Sequence, residues 1–325
     1  MSDTTRSKSV LTRATAAAAR RAAGRIAGYV THTPLRRSAA LSEELGAEVF
    51  CKLENRQATG SFKLRGATNR LLTLGDEQRA RGCVAASSGN HGAAVALAAR
   101  RLGVEAVVFV PGRTAEVKVA KIRGYGADVR IFGSDGLDTE LHARAYAGEN
   151  GMFYLSPYND EEVVAGQGSV GVEIVRDLPE FDAVFVAVGG GGLIGGVGSV
   201  VKALDPGIRV YGCQPLASPV MARSIEAGRI IDVPGKPTLS DGTAGGIEDG
   251  AITFPLNRAV VDDWVLVDEQ RIGAAMRRYR DAEGESIEGA AGVALAGLRE
   301  RRHDLAGKTV VVVICGGNVG DAAAR

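Results

Sequence analysis

Strand-like apolar runs alternate with helix-like runs along almost the whole chain, and that rhythm narrows the possible folds most. Strands are expected over residues 81–86, 105–110, 127–132, 182–188, 209–213 and 308–314. Helices are expected over 91–102, 114–123, 137–150, 163–177, 193–204, 269–283 and 288–299. Such a βαβα order predicts doubly wound, mostly parallel sheets with helices on both faces. The run Val310-Val-Val-Val-Ile314 is apolar at every position, as a strand covered on both faces requires. At 325 residues the chain is long enough for two domains or one large α/β unit. The glycine- and proline-bearing stretch 230–255 is the least regular.

Composition removes several function classes. Hydrophobic residues make up 45% and charged residues 24%, with a formal net charge of +1, so nothing marks a nucleic-acid surface or an acidic tail. No apolar run is long enough to span a bilayer, and none reads as a secretory signal. Residues 4–25 are arginine-rich and acid-poor, as transit peptides are, but 14–26 also reads as an Ala/Arg helix with one apolar side, which is the reading adopted. The four cysteines, Cys51, Cys83, Cys213 and Cys315, sit in or beside apolar runs with no C-x-x-C pair. They read as reduced thiols of a cytoplasmic protein. The four histidines are scattered singly, so no metal site is expected.

Ligands in open α/β sheets bind at the carboxyl ends of strands, and four such ends carry unusual residues. After the strand-like run 48–53, a polar turn leads to Ser61-Phe-Lys63-Leu-Arg-Gly66 and a helix. Lys63 falls in its first turn, where unpaired N–H groups and the helix dipole disfavour a cation. Burial would lower its pKa further and leave the neutral amine that Schiff-base chemistry needs. An ordinary lysine with its head in water is the alternative from position alone. Ser87-Ser-Gly-Asn-His-Gly92 packs two hydroxyls, an amide and an imidazole into one strand-to-helix turn. It can hold a carboxylate, or merely cap the helix. Gly189-Gly-Gly-Gly-Leu193 offers backbone N–H groups to an anion at a helix start, a phosphate above all. The same stretch contains G-x-G-x-x-G at Gly190, Gly192 and Gly195, which leaves a nicotinamide dinucleotide open, although Gln214 stands where an acidic residue is expected. Cys315-Gly-Gly-Asn318 ends the last strand, and its lone cysteine has no nucleophile's partners nearby in sequence.

These four motifs, in this order and at these spacings, resemble the pyridoxal-phosphate enzymes of fold type II, and among them the serine/threonine dehydratase and serine racemase group. The resemblance runs from about residue 33 onward. It implies two doubly wound, mostly parallel sheet domains of the tryptophan synthase β type. Residues 1–77 and 151–325 would form a large cofactor domain and 78–150 a small mobile one. Lys63 would bind pyridoxal 5′-phosphate through a Schiff base and then move the substrate's Cα proton. Phe62 would flank the ring and Asn90 bond its 3′-oxygen. Gly189, Gly190, Gly191, Gly192 and Leu193 would hold the phosphate. Ser87, Ser88, Asn90 and His91 would hold the substrate carboxylate, and Ser88 matches the racemases' second acid/base. Cys315 would face the ring nitrogen as a neutral thiol, giving a tempered electron sink.

The implied reaction is elimination of water and ammonia from a hydroxy amino acid, with serine-type racemisation as the alternative within the class. A nicotinamide-dependent oxidoreductase and a silent binding protein are the alternatives outside it. The resemblance also implies a homodimer or tetramer. Gln214 and Val220 replace the racemases' metal-binding carboxylates, so no divalent cation is expected. No regulatory domain is expected after Asn318. The segment Ser240-Asp-Gly-Thr-Ala-Gly-Gly-Ile-Glu-Asp-Gly250 is similar to a bacterial branch linked to hydroxyectoine breakdown. Its Glu248 and Asp249 are candidates to meet a cationic substrate group, or else solvated loop charges.

Overall fold

The computed structural model describes residues 3–319. Ten strands run in chain order: β1 (Leu35–Arg37), β2 (Glu48–Leu53), β3 (Cys83–Ala86), β4 (Ala106–Val110), β5 (Asp128–Ile131), β6 (Phe153–Tyr154), β7 (Ala183–Ala187), β8 (Arg209–Pro215), β9 (Asp263–Val267) and β10 (Thr309–Ile314). The helices are α1 (Asp3–Ile26), α2 (Ala39–Leu45), α3 (Lys63–Thr73), α4 (Asp76–Arg81), α5 (Asn90–Leu102), α6 (Glu116–Gly124), α7 (Gly136–Glu149), α8 (Glu161–Asp177), α9 (Gly192–Leu204), α10 (Val220–Ala227), α11 (Thr253–Val260), α12 (Glu269–Glu283) and α13 (Gly289–Glu300).

The strands form two sheets, as the alternating pattern predicts. The larger has the order β1-β2-β10-β7-β8-β9 and the smaller β5-β4-β3-β6. Every pair is parallel except β1 with β2, a three-residue edge strand. Strand β10 lies in the middle of the larger sheet, with Val312 opposite Cys51 on one side and Phe185 on the other. Val310 to Ile314 are wholly buried, because helices cover both faces. The smaller sheet extends past residue 150, since β6 pairs with β3 through Phe153 and Tyr154. The stretch before α11 is irregular apart from one 3₁₀ turn, Asp241–Thr243.

Close backbone approaches tie the helices of the larger sheet together. A Cβ on Gly166 of α8 would lie 2.6 Å from Cα of Gly66 in α3, and one on Gly196 of α9 would lie 2.6 Å from N of Gly168 in α8. Helices α3 and α9 are thus pinned to the same helix at contacts that admit no side chain. Lys63 opens α3 and the glycine run opens α9, so α8 fixes the distance between them.

Candidate active site

All four singled-out segments leave the carboxyl ends of parallel strands. Three belong to neighbouring strands of the larger sheet, β2, β10 and β7, and Ser87 follows β3 of the smaller. A bridge between Ser61 and Gly316 and a hydrogen bond from Phe62 N to Cys315 O (3.1 Å) join the start of α3 to the end of β10. Every candidate site residue, from Phe62 and Lys63 to Ser87, Ser88, Asn90, His91, Gly189–Leu193 and Cys315, lines one cavity of about 570 Å³ between the two sheets. A pocket of that size between two units of an α/β fold is where ligands bind.

Lys63 projects its amine into this cavity and donates to Pro157 O at 2.9 Å. Loss of water lowers its pKa to about 8, against the pull of Cys315 and Glu288 in the other direction. The neutral amine is therefore a minor form, roughly a tenth, at pH 7 and reaches half only at about pH 8. The Phe62 ring lies 5.3 Å from the same nitrogen.

The glycine run is held tightly on its outer side. A Cβ on Gly190 would meet the Tyr158 ring at 2.4 Å, and one on Gly191 would meet Asn257 Nδ2 at 1.8 Å. Gly191 also has φ of +84°, a conformation that favours glycine. Among the described residues no acceptor takes the N–H groups of Gly189 to Gly192. Free N–H groups at the start of α9 make a seat for an anion.

The His91 side chain is turned into the protein. Its ring is buried and its Nε2 donates to Leu155 O at 2.9 Å. Burial and the nearby Lys63 lower its pKa to about 3. The ring is a neutral anchor between α5 and the chain after β6, so a carboxylate would meet the turn's backbone N–H groups and hydroxyls and not an imidazolium. Burial and Glu288 push the Cys315 thiol well above its ordinary value, which keeps it neutral as expected.

Glu248 is partnered at Oε2 alone, and its buried Oε1 has no hydrogen-bond partner among the described residues. It pairs with Arg144 Nη2 at 2.9 Å and accepts from Asn159 Nδ2 at 3.2 Å. Gln214 donates to Val188 O (3.0 Å) and accepts from Ala222 N (2.8 Å), so both ends of its amide are bonded to the backbone. Among the described residues no group of three or more His, Cys, Asp or Glu side chains is placed to hold a metal.

Two cavity residues, Tyr158 and Glu288, carry little or no signal in the sequence. Tyr158 packs on Gly190 and accepts from Glu248 N at 3.0 Å, linking the glycine run to the irregular segment. Glu288 reads only as a helix start, yet its carboxylate accepts from Asn90 Nδ2 at 2.8 and 3.1 Å. The sole sequence signal for Tyr158 is its place in a Ser-Pro-Tyr-Asn turn at a strand end.

Pyridoxal phosphate asks a protein for an amine that can attack a carbonyl and a seat for a phosphate, and the residues present fit both demands. The two-sheet frame is that of fold type II. The family model described as pyridoxal-phosphate dependent enzyme matches residues 26–316, and the chain belongs to that family. It is 41% identical over 290 residues to an L-threonine ammonia-lyase of Thermotoga maritima, covering 89% of this chain and 72% of the relative. It is 36% identical over 298 residues to an L-threo-3-hydroxyaspartate ammonia-lyase of Saccharomyces cerevisiae, covering 92% and 91%. Among solved structures, maize serine racemase superposes with a TM-score of 0.89 at 33% identity, covering 94% of each chain. The cofactor is pyridoxal phosphate, and the nicotinamide alternative falls away. The G-x-G-x-x-G spacing comes from the glycine run itself, with Gly195 packed on Leu256 inside α9.

Proposed function

We propose that this enzyme is a pyridoxal-phosphate ammonia-lyase that removes water and then ammonia from a β-hydroxy amino acid, leaving a keto acid. Lys63 carries this reading: its amine faces the cavity and holds its proton only up to about pH 8. It can attach the cofactor, be released, and then take the proton from the substrate's Cα. When bound, the cofactor supplies the electron sink that makes that proton removable. The N–H groups of Gly189 to Gly192, with Leu193, would hold the phosphate. Phe62 would flank the cofactor ring, Asn90 would bond its oxygen, and Cys315 would face its nitrogen. Ser87, Ser88 and the backbone N–H groups of Asn90 and His91 hold the substrate carboxylate.

The unit carrying the smaller sheet closes over the site and excludes water. Ion pairs across the cleft support this, from Lys118 to Asp241 at 4.0 Å and from Arg144 to Glu248 at 2.9 Å. Threonine, serine and 3-hydroxyaspartate are the substrate class, in keeping with what the relatives' names say they act on. The likeness of Ser240-to-Gly250 extends the panel to hydroxyectoine-derived compounds. We place the enzyme in the cytoplasm as a homo-oligomer; four buried, unpaired cysteines support a reducing compartment.

Product analysis on that panel tests the reading. A keto acid and ammonia in equal amounts support it, and a coloured protein that releases no ammonia from any of them overturns it. Racemisation is the second reading, because Ser88 lines the cavity and can act opposite Lys63. D-serine formed from L-serine without ammonia would select it.

A further inference from the structure

Helix α11 packs on α9 behind the glycine run. Leu256 closes on Gly195 and Val260 on Gly198, where added Cβ atoms would each meet a methyl group at 2.8 Å. Between these apolar contacts and the run stands one amide, Asn257, with no exposed area. Its Nδ2 lies 1.8 Å from where a Cβ on Gly191 would stand, and its Oδ1 lies 3.2 Å from that of Gly195. Neither polar atom has a hydrogen-bond partner among the described residues, and the same holds for Thr253 Oγ1, one turn earlier on α11.

A buried amide without partners costs stability, and an apolar side chain of similar size would avoid that cost beside Leu256 and Met221. An orphaned amide next to a ligand seat points to a state in which its atoms are used. Peptide geometry supplies that state. Within one planar trans peptide the N–H and the C=O point in opposite directions. A glycine that turns its N–H to an anion therefore turns the preceding carbonyl to the rear. Behind Gly191 the rear is Asn257 Nδ2, a donor. The carbonyl of Gly191 already accepts from Gly195 N at 2.9 Å, whereas among the described residues no backbone N–H takes that of Gly190.

We propose that Asn257 is a positioning residue for the cofactor phosphate, whose amide donates to the carbonyl of Gly190 when the N–H of Gly191 turns to the anion. The inference rests on the glycine run being the phosphate seat. Asn257 stands behind the run and not at the cavity wall, so it acts through the backbone and touches no ligand. It therefore strengthens binding of the phosphate and not of the ring.

The test titrates cofactor-free enzyme with pyridoxal phosphate and with pyridoxal, which lacks the phosphate, and follows visible absorption. Asn257→Leu keeps the bulk of the side chain and removes both polar atoms. Its affinity for pyridoxal phosphate should fall by roughly three- to tenfold, the worth of one hydrogen bond, while its affinity for pyridoxal should equal the parent's. An equal loss for both compounds would mark a purely structural role and overturn the proposal, and so would no loss for either. If the leucine variant does not fold, Asn257→Ala is read in the same way. Gly191→Ala separates this proposal from the seat itself, because alanine there is strained at a φ of +84° and collides with Asn257. It should abolish the preference for the phosphorylated compound. If it does so while the Asn257 variants keep that preference, the role of Asn257 alone falls. If no variant alters the preference, the glycine run is not the seat and both readings fall.

Discussion

Arg65 and Glu54 meet in a two-pronged ion pair from which water is wholly excluded. Arg65 Nε donates to Oε2 and Nη2 to Oε1, both at 2.8 Å, and both side chains have no exposed area. The other side of the guanidinium binds Glu173 at 2.7 and 2.8 Å, and Lys52 completes the balance by donating to Glu173 at 2.6 Å. Two cations and two anions thus neutralise each other under α3, two residues from Lys63. Removing one member of a buried pair leaves the other uncompensated, which costs about 3–5 kcal/mol. Arg65→Met should lose about that much stability in urea unfolding of the cofactor-free protein. Arg65→Lys keeps the charge but not the fork, and should fall between the two. A methionine variant as stable as the parent would mean that the network does not hold α3 in place.

The lowered pKa of Lys63 gives a pH signature of its own. The neutral amine attaches the cofactor, so the rate of capture by cofactor-free enzyme should rise as pH passes about 8 and then level off. Folding should show the same group. The unfolded lysine titrates near 10.5 and the folded one near 8, so between those values the unfolded state binds more protons. Stability contributed by this group therefore increases with pH across that window and is flat outside it. Comparing Lys63→Met with the parent isolates the effect, since the increment should vanish in the variant along with all visible absorption from bound cofactor. A capture rate that shows no rise through that region would remove the assignment of the amine.

Much of the site was legible because each of its four segments departs from what a strand end needs for folding alone. One cap requires one polar residue, and Ser87 to Gly92 carries four; one turn requires one glycine, and the run from Gly189 carries four. The parallel architecture was legible for the related reason that Val310 to Ile314 has no polar face. What the sequence concealed are single residues whose meaning lies in distant partners. Glu288 finds Asn90 across 198 positions, and Arg65 finds Glu173 across 108. A lone glutamate at a helix start looks like any capping acid until the fold brings an amide and a thiol to it. Short or edge elements such as β1 and β6 were likewise concealed, since two or three residues set no period. At His91 the sequence could not separate side chain from backbone: the buried ring is an anchor on Leu155 O, while the backbone N–H stays at the turn.

Gln214 lies near the end of β8, and its amide bridges Val188 O and Ala222 N. That bridge already ties the residue before the glycine run to α10. A divalent cation would have to displace two good hydrogen bonds, and among the described residues no group of three or more His, Cys, Asp or Glu side chains is placed to hold it. Activity and thermal midpoint should therefore be unchanged after treatment with a chelator, and unchanged by added magnesium or calcium. A chelator-induced loss that a divalent cation restores would show that a metal is held elsewhere. Gln214→Ala should be destabilised by about 1–3 kcal/mol, because it orphans a buried carbonyl and a buried N–H.

The distance between the amine and the phosphate seat depends on α8, and glycine is what lets the three helices touch. At Gly196 an added Cβ would lie 2.6 Å from Gly168 N and 2.6 Å from Val164 O. Both neighbours are backbone, so neither can rotate away, and α9 itself must shift. Gly196→Ala should then cost about 1–3 kcal/mol through overpacking. It should also weaken cofactor binding, because the glycine run at the head of α9 moves with its helix. Gly24→Ala is the matched control. Gly24 lies in helix α1 with nothing within 4 Å of the new Cβ, and alanine there should leave binding unchanged and stability equal or slightly higher. If Gly196→Ala loses stability but binds the cofactor as tightly as the control, α8 does not set the spacing between Lys63 and the glycine run.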